Sequence, residues 1–231
     1  MSTTHEKVAA DRLLSARWQR HTEALTGSLP AAVDGDDPRD VQAALGALRR
    51  LRSWIATWGT LLDDERVAAV DLRLISAESA LGRLHDVDVI EATMMGAADR
   101  VAFAQLATSS LQRELIHRRH LAQVHAGSTV DSSELIGDIE MVDGTIEYRP
   151  AAHQRAARVL PSLAKVQWRN LLRRVEALPD PIGPSDLHPV MVAARRCRDG
   201  ALDLTPAVGK PARRYAEALA RLHDHLAQLD H

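Results

Sequence analysis

Arginine recurs at helical spacing in the second half of the chain, where it could bind a polyanion. Four positions at intervals of three, four and three residues hold His188, Met191, Arg195 and Arg198, so three of the four are cationic or can become so. Residues at these intervals lie along one face of a helix. Guanidinium groups bind phosphate oxygens through paired hydrogen bonds, and a histidine adds a contact that depends on pH. This stripe therefore predicts a site for a phosphate-bearing anion.

Two further stripes have the same spacing. In one, Arg49 and Arg52 share a helix face with the uncharged Gln42 and Leu45. The other is basic throughout and consists of Arg155, Arg158, Lys165, Arg169 and Arg173. Rows of like charge repel, so they are tolerated where an anion lies between them or where the face is open to solvent. A solvated basic face is the alternative for any single stripe, whereas three stripes together favour a polyanion site. The candidate ligands are Arg49, Arg52, Lys165, Arg169, Arg173, His188, Arg195 and Arg198.

Helices must position these stripes. Long stretches rich in alanine, leucine and arginine have apolar residues three and four positions apart and few β-branched runs, which predicts an all-α fold. Glycine, proline and aspartate divide the chain into predicted helices at roughly 7–29, 37–62, 63–84, 86–95, 99–125, a short one from 132, 151–178, 185–204 and 211–229. Pro161 is expected to kink the helix over 151–178 or to start a new one.

Two short motifs occur twice in the same order. Residues 41–52 match residues 187–198 in their paired arginines, and the Ala-Leu-Gly-Arg-Leu-His-Asp run of 80–86 is similar to residues 218–224. A repeat at a nearly constant offset is typical of two similar helical bundles in tandem. We therefore predict a first bundle over 1–126 and a second over 127–231.

The same motifs resemble the CHAD family (conserved histidine α-helical domain) over nearly the whole chain. Residues 49–53 and 81–89 match the family's first histidine helix and a later motif, and residues 187–198 are similar to its second histidine helix. The resemblance implies a single CHAD-like domain over 1–231, in which two four-helix bundles are related by pseudo-twofold symmetry. It also implies a basic cleft between the bundles that binds inorganic polyphosphate.

Four positions depart from the family pattern. Gln42 stands where a histidine is expected, Leu45 and Met191 stand where arginines of the ligand rows are expected, and His85 stands where an arginine is expected before Asp86. The two arginines lost from the ligand rows would cost roughly 3 to 6 kcal/mol of binding free energy if each made a charged hydrogen bond of about 1.5 to 3 kcal/mol. A diverged, weak polyphosphate binder is thus one alternative. Another is a helical scaffold for a protein partner that has lost polyphosphate binding.

Composition argues against several other classes of protein. No apolar run approaches the roughly 20 residues that span a bilayer, and the N-terminus lacks the apolar stretch of a secretion signal. The single Cys197 cannot form an internal disulfide. We therefore expect a cytoplasmic protein without a membrane partner, and the family resemblance adds association with polyphosphate granules.

Neither nucleic-acid binding nor catalysis is favoured by the sequence. The aromatic residues are four tryptophans, two tyrosines and one phenylalanine, so platforms for base stacking are scarce. The tryptophans, Trp18, Trp54, Trp58 and Trp168, lie in apolar helical patterns and are predicted to be core residues. Glu114 and His117 have the spacing of a di-iron helix, but the sequence offers no second copy. We expect no enzyme activity, no metal and no cofactor.

Overall fold

The computed structural model describes residues 8–35, 37–63, 65–98, 105–143 and 145–229, and it confirms the all-α prediction. The helices are α1 (Ala10–Thr26), α2 (Leu29–Asp34), α3 (Pro38–Trp58), α4 (Glu65–Ala98), α5 (Gln105–Thr129), α6 (Ser132–Asp143), α7 (Ala156–Glu176), α8 (Pro184–Val208) and α9 (Lys210–Leu229). Short 3₁₀ turns occupy Gly59–Leu61 and Pro150–His153. In the described ranges, strand-like pairing is limited to two isolated antiparallel bridges, Ala9 with Arg155 and Leu62 with Tyr148. No helix within these ranges is long and apolar enough to cross a membrane.

Several predicted helix boundaries were wrong. The helices predicted at 63–84 and 86–95 form the single helix α4, which contains no proline and continues through both Gly82 and Asp86. The first predicted helix, over 7–29, ends earlier than expected: α1 stops at Thr26, and after a turn α2 covers Leu29–Asp34, where no helix was predicted. Pro161 does not start a new helix, since α7 continues through it.

Residue contacts group the described chain into two compact units, each built from separate segments. Unit 1 takes in the described parts of 1–20, 50–67 and 143–231, and unit 2 those of 21–49 and 68–142. Helix α3 therefore contributes its first half to unit 2 and its second half to unit 1. The predicted bundles over 1–126 and 127–231 concern an internal symmetry, and they stay a prediction.

Tryptophans form the centre of unit 1. The rings of Trp18 on α1 and Trp54 on α3 are both buried, with centroids 5.0 Å apart at an angle of 58°. The buried Trp58 donates its indole N–H to Asp203 of α8, with Nε1 3.2 Å from Oδ2. Helix α8 can approach α3 closely at Gly200, where an added Cβ would lie 3.3 Å from a side-chain carbon of Thr57. These contacts fix the C-terminal half of α8 in the core.

An apolar cluster joins α7, α8 and α9. Its buried members are Leu171 of α7, Val190, Ala193, Ala194 and Cys197 of α8, and Leu219 of α9. Trp168 was predicted to be a core residue, but it is 36% exposed and packs edge-on against Tyr215 of α9, with centroids 5.9 Å apart. The prediction was wrong because the apolar face of α7 is centred on Leu171, so Trp168 lies towards the margin of that face.

Helix α8 begins with a reciprocal cap. The backbone N–H of Gly183 donates to Oδ2 of Asp186 at 2.9 Å, and the backbone N–H of Asp186 donates to the carbonyl oxygen of Gly183 at 3.0 Å. Two of the donors at the helix start are thereby satisfied or shielded. The cap and the apolar cluster together hold the two arginine-bearing helices, α7 and α8, side by side.

Candidate anion-binding site

A polar groove lined by three arginines lies between α7 and α8. Its volume is about 330 Å³, and its lining consists of Gln167, Asn170, Arg173, Arg174 and Ala177 from the α7 side and Val192, Ala193 and Arg196 from α8. The spacing of the α7 residues by three and four places them along the flank of the helix that faces α8. Three guanidinium groups around one groove offer several donors to a single anion.

Contacts within unit 1 fix the shape of this groove. Gln167 donates from Nε2 to the carbonyl oxygen of Ala56 on α3 at 2.9 Å. Arg173 donates a short hydrogen bond to the side-chain oxygen of Asn170. The half-buried Arg52 precedes Ala56 by one turn, so both lie on one face of α3. Arg52 is thus the candidate of the first arginine stripe that lies one turn from this hydrogen bond between α3 and α7.

Helix α7 carries a row of exposed cations, the α7 row: Arg158, Lys165, Arg169 and Arg173. Lys165 and Arg173 also line pockets that α7 shares with α8. Among the described residues, none of the four forms an ion pair with a carboxylate. The row is therefore a concentration of positive charge that nothing in the described part of the chain neutralises.

The α8 stripe is arranged differently from the α7 row. His188 is exposed, whereas Arg195 and Arg198 are half-buried. Arg198 donates from Nη2 to Oδ1 of the buried Asp199 at 3.0 Å. Both arginines lie near His223 of α9, whose pKa is lowered from its ordinary value by burial first and by these two positive charges next. The stripe thus forms a second cluster of basic residues, in which Arg195 and Arg198 of α8 carry the charge and His223 of α9 lies beside them.

In the first arginine stripe, the structure places the residues in different environments. Arg49 belongs to unit 2, where its Nε donates to Oε1 of Glu78 at 3.0 Å. Leu45 is fully buried in unit 2, while Gln42 is exposed. Leu45 is therefore a core residue of unit 2. The other seven candidate ligands lie in unit 1, and the role of all eight as ligands stays a prediction.

Sequence reasoning missed three residues of these clusters: Arg174, Arg196 and His223. The two arginines are neighbours of stripe residues, but each points about 100° away from the stripe around its helix. Only the packing of α7 against α8 reveals that they line a common groove. His223 was visible as part of the repeated motif, which was the one signal that could have identified it.

No metal site was expected, and the structure gives the Glu114 region another role. Glu114 accepts a hydrogen bond from Nε of Arg118 at 2.7 Å on α5. Among the described residues, no group of three or more histidine, cysteine, aspartate or glutamate side chains could hold a metal ion.

Comparison with known proteins decides the family. The sequence profile of the CHAD domain matches residues 16–231. This chain belongs to the CHAD family. The fold of this CHAD domain is similar to the CHAD domain from the plant Ricinus communis, with a TM-score of 0.71, 20% identity, and coverage of 99% of this chain and 76% of the other. It is also similar to PptA from Streptomyces chartreusis, with a TM-score of 0.70, 18% identity, and coverage of 96% and 84%.

The identities are low, so these structural likenesses establish the fold of the CHAD domain and no more. A comparison with curated protein sequences found no match. The CHAD family is associated with polyphosphate binding, and this association gives the arginine-rich surfaces of α7 and α8 a chemical context.

Proposed function

We propose that this CHAD domain binds inorganic polyphosphate and that α7 and α8 of unit 1 supply the cations. The observation that carries the proposal is the α7 row together with the adjoining groove, where cations outnumber the carboxylates available to them. On a helix, cations four residues apart repel one another by about 0.2 to 0.5 kcal/mol per pair. A bound polyanion would attract each of these cations, and this attraction would offset their mutual repulsion.

The geometry of the row suits a polymer better than a single phosphate. Lys165, Arg169 and Arg173 follow one another at intervals of four residues, or about 6 Å along the helix. A flexible phosphate chain can place a charge beside each cation in turn, and the groove beside Arg173 would bind a further segment. A chain of this kind carries no bases, so it needs no aromatic platform.

Nucleic acid fits this surface less well. Trp18, Trp54 and Trp58 are buried in the core of unit 1. The partly exposed Trp168 lies in an apolar pocket of about 300 Å³ with Lys165 at its margin. Base stacking normally supplies about 1 to 3 kcal/mol per base to single-strand binding. Without base stacking, a nucleic acid would bind this surface through its phosphates alone. Its backbone is also less flexible than a polyphosphate chain.

The proposal is for binding alone, without catalysis, metal or cofactor, and it includes recruitment to polyphosphate granules in the cytoplasm. The departures from the family pattern bear on affinity. Leu45 is buried in the core of unit 2, and Gln42 and Met191 are likewise uncharged at positions where the family pattern has basic residues. Arg174 and Arg196 line the groove and supply cations to it beside Arg173. We therefore expect useful affinity to survive.

A titration tests the proposal. Fluorescently labelled long-chain polyphosphate is titrated with the protein at low and at high salt, with a DNA oligonucleotide and orthophosphate as competitors. The proposal predicts strong binding that weakens steeply with salt and that neither competitor displaces at matched phosphate concentration. Absence of binding at low salt, or equal displacement by DNA, would contradict it.

A protein-binding scaffold is the second candidate function. The observation that favours it is a set of exposed apolar side chains on α5 in unit 2: Ile116, Leu121 and Val124 are each more than half exposed. Large exposed apolar residues that lie close together are typical of interaction surfaces. Two results together would support the scaffold instead. The protein would show no binding in the polyphosphate titration, and its self-association or partner binding would be lost in an Ile116→Ser, Leu121→Ser variant.

A further inference from the structure

His223 has an unsatisfied ring nitrogen beside the α8 stripe. It lies on α9 with its side chain 21% exposed, and its Nε2 atom is buried without a hydrogen-bond partner among the described residues. The other ring nitrogen, Nδ1, lies 3.8 Å from Oδ1 of Asp224. Buried nitrogens of this kind normally have a partner, so this one calls for an explanation.

The charges that face His223 come from two helices. From α8, Arg195 and Arg198 both oppose a positive imidazole. From α9 itself, Asp224 favours one, but this carboxylate is 73% exposed and its effect is screened by solvent. Part of the Arg198 charge is already offset by Asp199. Burial of the ring first, and the two arginine charges next, keep the pKa of His223 below its ordinary value, so the imidazole is neutral near pH 7.

We propose that His223 couples the binding of a phosphate chain at Arg195 and Arg198 to the uptake of one proton. The inference rests on the proposed function and adds a regulatory device to the same surface. A phosphate group that bridges the two arginines would offset the charges that disfavour imidazolium. It would also bring an oxygen acceptor within reach of a protonated Nε2, so that the buried nitrogen gains the partner it lacks.

The sign of the effect follows from linkage. The pKa of His223 would be higher in the complex than in the free protein, so the complex binds more protons between the two values. Affinity therefore rises as the pH falls through the pKa of the complex and levels off below the pKa of the free protein. Protonation of the terminal phosphates of the ligand would weaken binding as the pH falls. This effect is small for long chains, in which terminal phosphates are a small fraction of the total.

Polyphosphate affinity measured from about pH 8 to about pH 5.5 tests the inference in the unmodified protein and two variants. His223→Gln removes the titrating ring at similar size, whereas His225→Gln removes an exposed histidine on the same helix, whose Nδ1 contacts the carbonyl oxygen of Arg221 at 2.6 Å. We expect affinity to rise roughly three- to tenfold over this range in the unmodified protein and in His225→Gln. In His223→Gln the rise should be lost.

A third variant separates His223 from the exposed His188 on α8. A pH dependence that persists in His223→Gln but disappears in His188→Gln would overturn the inference while leaving the proposed function intact. Failure of the unmodified protein to bind polyphosphate at every pH would overturn both.

An NMR titration of the His223 ring protons gives a second readout that does not depend on affinities. Saturation with polyphosphate should move the His223 midpoint to higher pH and leave that of His225 in place. An unchanged His223 midpoint in the saturated protein would contradict the coupling.

Discussion

Removal of two arginines from the groove between α7 and α8 should weaken polyphosphate binding far more than removal of two exposed arginines elsewhere in unit 1. The test variant is Arg174→Ala with Arg196→Ala, which leaves Arg173 as the remaining cation of the groove. The matched control is Arg213→Ala with Arg214→Ala on α9, where both residues are exposed. Both variants lower the net charge by two, so they share the same long-range electrostatic change.

The expected magnitude follows from the number and setting of the contacts. A hydrogen bond to a charged group contributes about 1.5 to 3 kcal/mol, and the open groove places each arginine near the lower value. Two lost contacts then cost about 3 kcal/mol, or roughly 100-fold in affinity. Each phosphate contact also contributes about 0.7 to 0.9 to the slope of log affinity against log salt, so the slope should become shallower by about 1.5.

Fluorescence anisotropy with labelled long-chain polyphosphate, repeated at several salt concentrations, measures both quantities. Circular dichroism of the two variants confirms that each retains its helices. An equal loss of affinity in both variants would refute the groove as a site, because it would mean that net charge alone governs binding. An unchanged salt slope in the groove variant would refute the assumption that each of the two arginines contacts a phosphate.

Three further outcomes follow from the structure. Asp203→Ala leaves the buried Trp58 indole N–H without its acceptor, so urea denaturation should show a loss of about 2 to 4 kcal/mol that exposed Asp224→Ala does not; equal losses would contradict this. Burial raises the pKa of the Cys197 thiol to about 11, so alkylation near pH 8 should be slow in the folded protein and fast in urea, and equal rates would be the opposing result. Arg169→Glu converts two repulsive four-residue pairs on α7 into attractive ones, which should raise stability by about 1 kcal/mol while it weakens polyphosphate binding; unchanged affinity would argue against the α7 row.

Local sequence signals were sufficient for the helical fold. Spacing by three and four residues, with proline and glycine as breakers, predicted helices at nearly all the positions where they occur. The errors arose where a breaker was assumed from a weak signal, as at Asp86, which lies inside the continuous α4. Aspartate favours helix starts, but at an exposed interior position its cost is only a fraction of a kcal/mol.

The arginines that line the groove are determined by tertiary packing and could not be predicted from sequence spacing. The sequence placed cations along α7 and α8, but the choice between Arg195 and Arg196 as the residue facing α7 depends on the rotation of α8 about its axis. That rotation is set by the apolar cluster and by the close approach at Gly200. Leu45 illustrates the same limit, because its place in a basic stripe gave no sign that it is buried.

Arginine-directed footprinting locates bound polyphosphate on the protein residue by residue. The protein is treated with phenylglyoxal with and without saturating long-chain polyphosphate, and modification is quantified at each arginine by mass spectrometry. The account predicts protection at Arg169, Arg173, Arg174 and Arg196, and unchanged modification at Arg213 and Arg214. Protection confined to arginines outside α7 and α8, or equal protection of all exposed arginines, would contradict a polyphosphate site on these two helices.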